Sequence, residues 1–307
     1  MKARAKILER LPGGSRVLVI RLRSLGDCVL TTPALELLKR YRPDLRLAVV
    51  VERSWRAVFE GNPDVDELLE PEPAACWKWR PRLSLNLHGG PRSAWLTAAS
   101  LARWRAGFAH FRYRWLYNVR IPTAQQILGL RRKVHTAEHI ASAMFYLGVP
   151  RDEVPPARLF PPAAPKPARE YAVIHPLASK PSKTWPAERF AGIARRLQQE
   201  WGLEPVFIAG PGEDLGAFSS FRCVVGAPLD QVKALLAGAA LFIGNDSGPA
   251  HMAAALGRPV LVIFGDSDFE LWRPWKTVCE VVVARGGIGR VSEEEVFGAL
   301  LRLRMAA

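Results

Sequence analysis

Between an apolar run that ends at Ile243 and a helix that must begin near Pro249 lie Gly244, Asn245, Asp246, Ser247 and Gly248. Asp246 or Ser247 is a good N-cap there, and Pro249 suits the first helical turn. A helix that starts at the C-terminal end of a buried strand offers free N–H groups and the positive end of its dipole. The turn therefore suits an anion, and a pyrophosphate fits it well. An ordinary capped helix in a parallel sheet would show the same residues. Four other strand ends carry groups able to do chemistry. Gly26 permits a tight turn just before the carboxylate of Asp27. His88 to Ser93 holds an imidazole and the guanidinium of Arg92. His175 to Lys183 brings two ammonium groups, Lys180 and Lys183. Gly210 to Asp214 brings Glu213 and Asp214, either of which is placed to hold the hydroxyls of a ribose.

The elements that must position these groups alternate. Val17 to Leu22, Leu45 to Val51 and Leu83 to Leu87 are short apolar runs that read as strands, separated by stretches of helical spacing such as 31–42 and 94–101. Residues 105–133 are aromatic and basic with poor periodicity, which predicts strand and loop. Residues 135–147 form an amphipathic helix ended by Gly148 and Pro150. Residues 155–167 are dense in proline and predict a semi-rigid linker. The alternation then restarts. Strands are predicted at 171–175, 205–209, 223–225, 241–243, 260–264 and 281–284. Helices are predicted at 187–201 and 229–239, and again at 292–304, where Ser292 and Glu295 make a capping box. This pattern predicts an α/β chain of two Rossmann-like, doubly wound domains, 1–160 and 161–307, facing each other over a cleft.

The chain has 307 residues, of which 49% are hydrophobic and 23% charged, with a net charge of +14. Residues 1–168 hold 28 Lys and Arg against 14 Asp and Glu, whereas residues 169–307 hold 15 of each. Between Glu72 and Glu138 stand twelve basic residues and no acidic one. Such a field favours an anionic partner: phosphorylated lipid, acidic sugar or nucleic acid. No apolar run approaches the roughly 20 residues that span a bilayer. The basic N-terminus lacks an apolar signal core, which predicts a cytoplasmic protein. Four scattered cysteines show no metal-ligand spacing and read as reduced thiols.

Three of these stretches carry a resemblance to a known family. The runs RLRSLGDCVLTTPALELLKR, HPLASKPSKTWPAERFAGIARRL and GNDSGPAHMAAALGRPVLVIFG, in that order, resemble the motifs of the lipopolysaccharide heptosyltransferases of glycosyltransferase family nine. The resemblance implies a GT-B fold, with acceptor in the N-terminal domain and nucleotide sugar in the C-terminal one. It implies ADP-heptose as donor, inversion at the anomeric carbon, and no metal or other cofactor. Neither domain carries G-x-G-x-x-G after its first strand, which suits this reading better than a dinucleotide enzyme.

The family match also gives the residues roles. Asp27 would be the base that takes the acceptor hydroxyl's proton. Lys183, with Lys180 as a second candidate, would meet the charge that develops on the departing diphosphate. Ser247 and the backbone at Gly248 would bind phosphate, Asp246 would hold sugar hydroxyls, and His251 would reach phosphate or sugar. Trp185 reads as packing. His88, Arg92 and Arg120 would serve the acceptor, an anionic lipopolysaccharide precursor at the inner face of the inner membrane, where the protein would sit peripherally. His88 stands where the family often has another residue. Asp64-Val65-Asp66 and Asp266-Ser267-Asp268 spell the D-x-D of metal-binding transferases and read as chance matches, and His135 and His139 have zinc-like spacing without a third ligand. Two rivals remain: a related GT-B transferase that uses another nucleotide sugar for another surface glycan, and a basic nucleic-acid-binding protein. The second has the charge but no nucleic-acid motif.

Overall fold

The computed structural model describes residues 6–162, 167–284 and 286–307. The chain divides into two units, Met1–Phe160 and Pro161–Ala307. The first holds β1 (Arg16–Ile20), α1 (Leu25–Val29), α2 (Thr32–Tyr41), β2 (Arg46–Val50), β3 (Glu67–Leu69) and α3 (Pro73–Lys78). It continues with β4 (Leu83–Asn86), α4 (Pro91–Ala99), β5 (Trp104–Phe108), β6 (Val119–Ile121), α5 (Ala124–Leu128) and α6 (Thr136–Leu147). The second holds β7 (Tyr171–His175), α7 (Ala187–Trp201), β8 (Glu204–Ala209), β9 (Arg222–Val225), α8 (Leu229–Gly238) and β10 (Leu241–Asn245). It ends with α9 (Gly248–Ala255), β11 (Val260–Phe264), α10 (Phe269–Trp272), β12 (Cys279–Val283) and α11 (Glu293–Ala306).

Each unit is built on a six-stranded parallel sheet, ordered β3-β2-β1-β4-β5-β6 and β12-β11-β10-β7-β8-β9. When each unit's strands are numbered from its own first, both orders read 3-2-1-4-5-6. That is the doubly wound order, in which the chain changes direction of growth between the first and fourth strands. The central strands are apolar on both faces because helices cover both. Leu18 and Ile20 pack with Val50, Cys76 and Leu96 on the side of α3 and α4. Ile174, Phe207, Ile243 and Ile263 pack with Phe190 and Leu197 of α7 and Leu300 of α11.

Several expectations change. The stretch 105–133 contains α5, started by a capping box between Thr123 and Gln126. The short helices α3 and α10, of six and four residues, are too short to give a periodic signal. Part of the proline-rich linker is not a spacer. Val154, Ala157 and Leu159 are buried, and Arg158 N–H donates to Thr32 Oγ1 at 3.1 Å. This stretch therefore packs onto the first unit, while 163–166 lie outside the described residues.

The metal-like motifs have structural work. Asp66 accepts from Leu47 N–H and Lys39, and Asp268 caps α10. His135 caps α6, and His139 stacks on Phe108 at 4.3 Å. Burial pushes His139 down to about 4. Among the described residues no helix is long and apolar enough to cross a membrane.

Candidate functional site

In an open parallel sheet, ligands bind outside the carboxyl ends of the strands where the strand order reverses. In the second unit that point lies between β7 and β10. The chain leaves β7 at His175 and runs through a loop that carries Lys180 and Lys183 into α7. It leaves β10 at Asn245 and enters α9 through Asp246 and Ser247. Asn245 ties the two exits together. Its Nδ2 donates to Pro176 O at 2.7 Å, and its Oδ1 accepts from Trp185 N–H at 3.1 Å. Trp185 is fully buried, and its indole N–H donates to Val291 O at 2.9 Å, so it anchors the loop.

This bracing places Lys183 Nζ 3.3 Å from Asp246 Oδ2, with the two side chains 25% and 10% exposed. Gly265, just beyond β11, lets the loop approach closely. A Cβ there would lie 2.0 Å from Ser182 O.

Ser247 is the N-cap of α9, yet its side chain makes no capping bond to the helix. Its Oγ lies 3.0 Å from His175 Nδ1 instead. The first N–H groups of α9 are thus left without a side-chain cap, beside an ammonium. Burial pushes His175 down to about 4, partly offset by the carboxylate of Glu213, so the ring is neutral at pH 7. His251, in the first turn of α9, is enclosed at 4% exposure and lies edge-on to Trp272 at 6.3 Å. Glu213 Oε2 accepts from Gly210 N–H at 2.5 Å, and Asp214 Oδ1 from Gly216 N–H at 2.8 Å. Both shape the turn after β8, with Glu213 the one near His175. Lys180 is exposed, and its carbonyl accepts from Thr184 Oγ1 at 2.9 Å.

In the first unit the corresponding point lies between β1 and β4. Asp27 stands in the first turn of α1. It is not the helix cap; that residue is Ser24. Its carboxylate is held by Arg21 Nη1 at 3.4 Å and by Ser24 Oγ at 3.1 Å. Arg21 is buried at 6% exposure, and its Nε has no hydrogen-bond partner. Burial and Arg21 lower the pKa of His88, whose Nδ1 lies 3.1 Å from Arg23 O. Cys28, next to Asp27, is pushed up to about 12 by burial and stays a thiol.

Asn86, at the end of β4, organises the next turn. It donates to Ser93 Oγ and Tyr117 OH, and accepts from the N–H groups of His88 and Gly89. Arg92 pairs with Glu52 at 3.5 Å and donates to Pro71 O at 3.2 Å. Arg120 is exposed on the edge strand β6, two strands from β4, so the structure does not gather it with His88 and Asp27.

The sequence reading overlooked Arg21, Asn86 and Asn245 as site-builders. The available signal was a charged or amide residue closing a buried strand, last in β4 and β10 and directly after β1, where burial calls for a partner.

The sequence profile of glycosyltransferase family 9 (heptosyltransferase) matches residues 82–295, over two thirds of the chain. Lipopolysaccharide heptosyltransferase 3 of Escherichia coli is 24% identical over 300 residues, covering 83% of this chain and 84% of its own. A family 9 glycosyl transferase from Veillonella parvula superposes with a TM-score of 0.84 at 22% identity, over 95% of this chain and 98% of its own. The E. coli heptosyltransferase WaaC, solved with ADP, superposes at 0.77 and 19% identity, over 94% and 99%. The two sheets and these likenesses give the GT-B fold of two Rossmann-like domains. The chain belongs to glycosyltransferase family 9 (heptosyltransferase) and is a glycosyltransferase.

Proposed function

We propose that this enzyme transfers heptose from ADP-heptose to an inner-core lipopolysaccharide acceptor, with inversion and without a metal ion, at the cytoplasmic face of the inner membrane. The observation that carries the reading is the turn after β10. An uncapped helix start and the Lys183 ammonium stand together at a topological switch point. A diphosphate there would accept from the α9 N–H groups and the Ser247 hydroxyl and would pair with Lys183. The carboxylate after β8 would hold the ribose. Glu213 is the better placed of the two, being near His175. Lys180, exposed on the same loop, is a second cation for the phosphates. Asp246 would hold hydroxyls of the transferred sugar. His251, enclosed beneath the same turn, would support it from below.

In the reaction, Asp27 takes the proton of the acceptor hydroxyl as that oxygen bonds to the anomeric carbon. The bond from that carbon to the diphosphate oxygen breaks, and its electron pair leaves with ADP. Lys183 and the amides of α9 meet the charge where it develops, which is the work a metal does in other transferases. Arg21 and Ser24 keep the Asp27 carboxylate aimed. His88, Arg92 and Arg120 would serve the anionic acceptor.

The test is Asp27→Ala. Turnover is expected to fall by about 100- to 10,000-fold, the usual weight of a positioned base, while calorimetry shows ADP binding unchanged. Near-normal turnover would remove Asp27 from the mechanism. Binding of UDP in preference to ADP would end the heptose reading.

A further inference from the structure

Three tryptophans of the first unit stand in water on neighbouring elements. Trp77 on α3 is 53% exposed, Trp95 on α4 is 58%, and Trp115 in the 3-10 turn Arg114–Leu116 is 62%. α3 packs against α4, and α4 packs against that turn. The Trp95 and Trp115 rings meet edge to face at 6.2 Å. Leu101, just past α4, is 71% exposed. None of these side chains serves the sheet core, which α4 reaches through Leu96.

The charged residues beside them in the chain are basic. Lys78 follows Trp77, Arg114 precedes Trp115, and Arg103 follows Leu101 by two residues; all three are exposed. The segment between Glu72 and Glu138 has no acidic residue. Of the acids next to these elements, Glu72 is the N-cap of α3 and Glu52 is bound to Arg92.

We propose that this face seats the enzyme on a bilayer rich in anionic phospholipid. The indoles enter the headgroup layer and the cations meet lipid phosphates. Indole rings favour that layer because one side is apolar and the N–H needs a polar partner. Exposed Lys and Arg add attraction to an anionic surface, and neither signal alone anchors stably. An aromatic and basic face also suits single-stranded nucleic acid. The Trp95 and Trp115 rings stand at 84° to each other, which offers no parallel platform for successive bases, and the sequence carries no nucleic-acid motif. The proposal deepens the reading above, in which the acceptor is borne by lipid.

The test is sedimentation of the full chain with vesicles of phosphatidylcholine alone or mixed with phosphatidylglycerol, alongside calorimetry with ADP. Binding is expected only to the anionic vesicles, weakening as salt rises. Trp77→Ser, Trp95→Ser and Trp115→Ser combined are expected to weaken it at least about tenfold, and Arg103→Glu with Arg114→Glu by a similar factor. ADP affinity should not change in either variant. In the unsubstituted protein, lipids brominated near the headgroup should quench tryptophan fluorescence. Three outcomes overturn the proposal: undiminished vesicle binding by the tryptophan variant, absence of quenching in the parent, or loss of dimerisation or of nucleic-acid binding as the variant's effect. Vesicle binding without ADP binding would sink the nucleotide reading and leave this face standing.

Discussion

Lys183 and Asp246 lie 3.3 Å apart, so the ammonium that would meet a diphosphate already has a carboxylate partner. When an anion arrives, the ammonium is shared, and Asp246 becomes a negative charge beside another. Asp246→Asn keeps the shape and removes the charge. ADP is expected to bind tighter by about 1 kcal/mol, a few-fold in Kd, the scale of a partly exposed ion pair. Turnover should fall, because the carboxylate proposed to hold the sugar has lost its accepting strength. Calorimetry and initial rates measure the two effects separately. Weaker ADP binding in the variant would mean that Asp246 chiefly holds Lys183 in place. Neither partner could have been matched from local spacing, since they stand 63 residues apart in the chain. Arg21 and Asp27 are close in the chain, six residues apart, and their meeting is hidden for another reason. Arg21 reads as the end of an apolar strand, and only the turn of α1 back over β1 shows what it holds.

At the scale of elements, the loop of Lys183 depends on a glycine two strands away. A Cβ at Gly265 would sit 2.0 Å from Ser182 O and 3.1 Å from Lys183 Cα, both backbone atoms that cannot swing aside. Gly265→Ala should cost about 1–3 kcal/mol of stability, as overpacking does, and should weaken ADP binding by displacing the ammonium. Gly289→Ala, where nothing lies within 4 Å of the added atom, serves as the control and should change neither. Thermal melts and ADP titrations of the pair decide it; equal behaviour would unlink Gly265 from the loop.

His175 makes a second element-scale expectation. Its pKa is about 4 in the fold against an ordinary 6.5. Between those values the unfolded chain carries a proton that the native state refuses. The stability present above pH 6.5 is therefore lost as pH falls toward 4, at up to about 1.4 kcal/mol per pH unit. His139, also near 4, adds loss of the same sign. Urea midpoints from pH 7.5 to 5 should fall less steeply for His175→Gln than for the parent, and parallel curves would remove His175 as a cause.

Strands β7 and β11 and helix α7 have the bounds the sequence predicts, because apolar runs closed by glycine or proline leave little choice. Where a segment is held by contacts rather than by its own pattern, as 154–160 is against the first unit, composition alone reads as linker. Prolines there remove hydrogen-bond donors without preventing burial of Val154 and Leu159.

Across the whole molecule, the two units are equipped to meet anions by different physics. The first carries its excess positive charge on exposed side chains, and residues 169–307 are balanced. In the second, the proposed phosphate site rests on backbone amides and on one ammonium whose side chain is 25% exposed. Salt screens exposed charges beyond about 8–10 Å and acts much less on groups in direct, partly buried contact. Raising salt from about 0.05 to 0.3 M should therefore raise the KM for a phosphorylated acceptor several-fold. The KM for ADP-heptose should move by less than about twofold. Steady-state rates with each substrate varied at saturating partner give both constants from one preparation. The reverse pattern, a donor KM that climbs with salt beside a flat acceptor KM, would place the diffuse field on the nucleotide and overturn the division of labour between the units. If both KM values climb together, long-range steering serves the two substrates alike, and the charge asymmetry between residues 1–168 and 169–307 has no part in telling them apart.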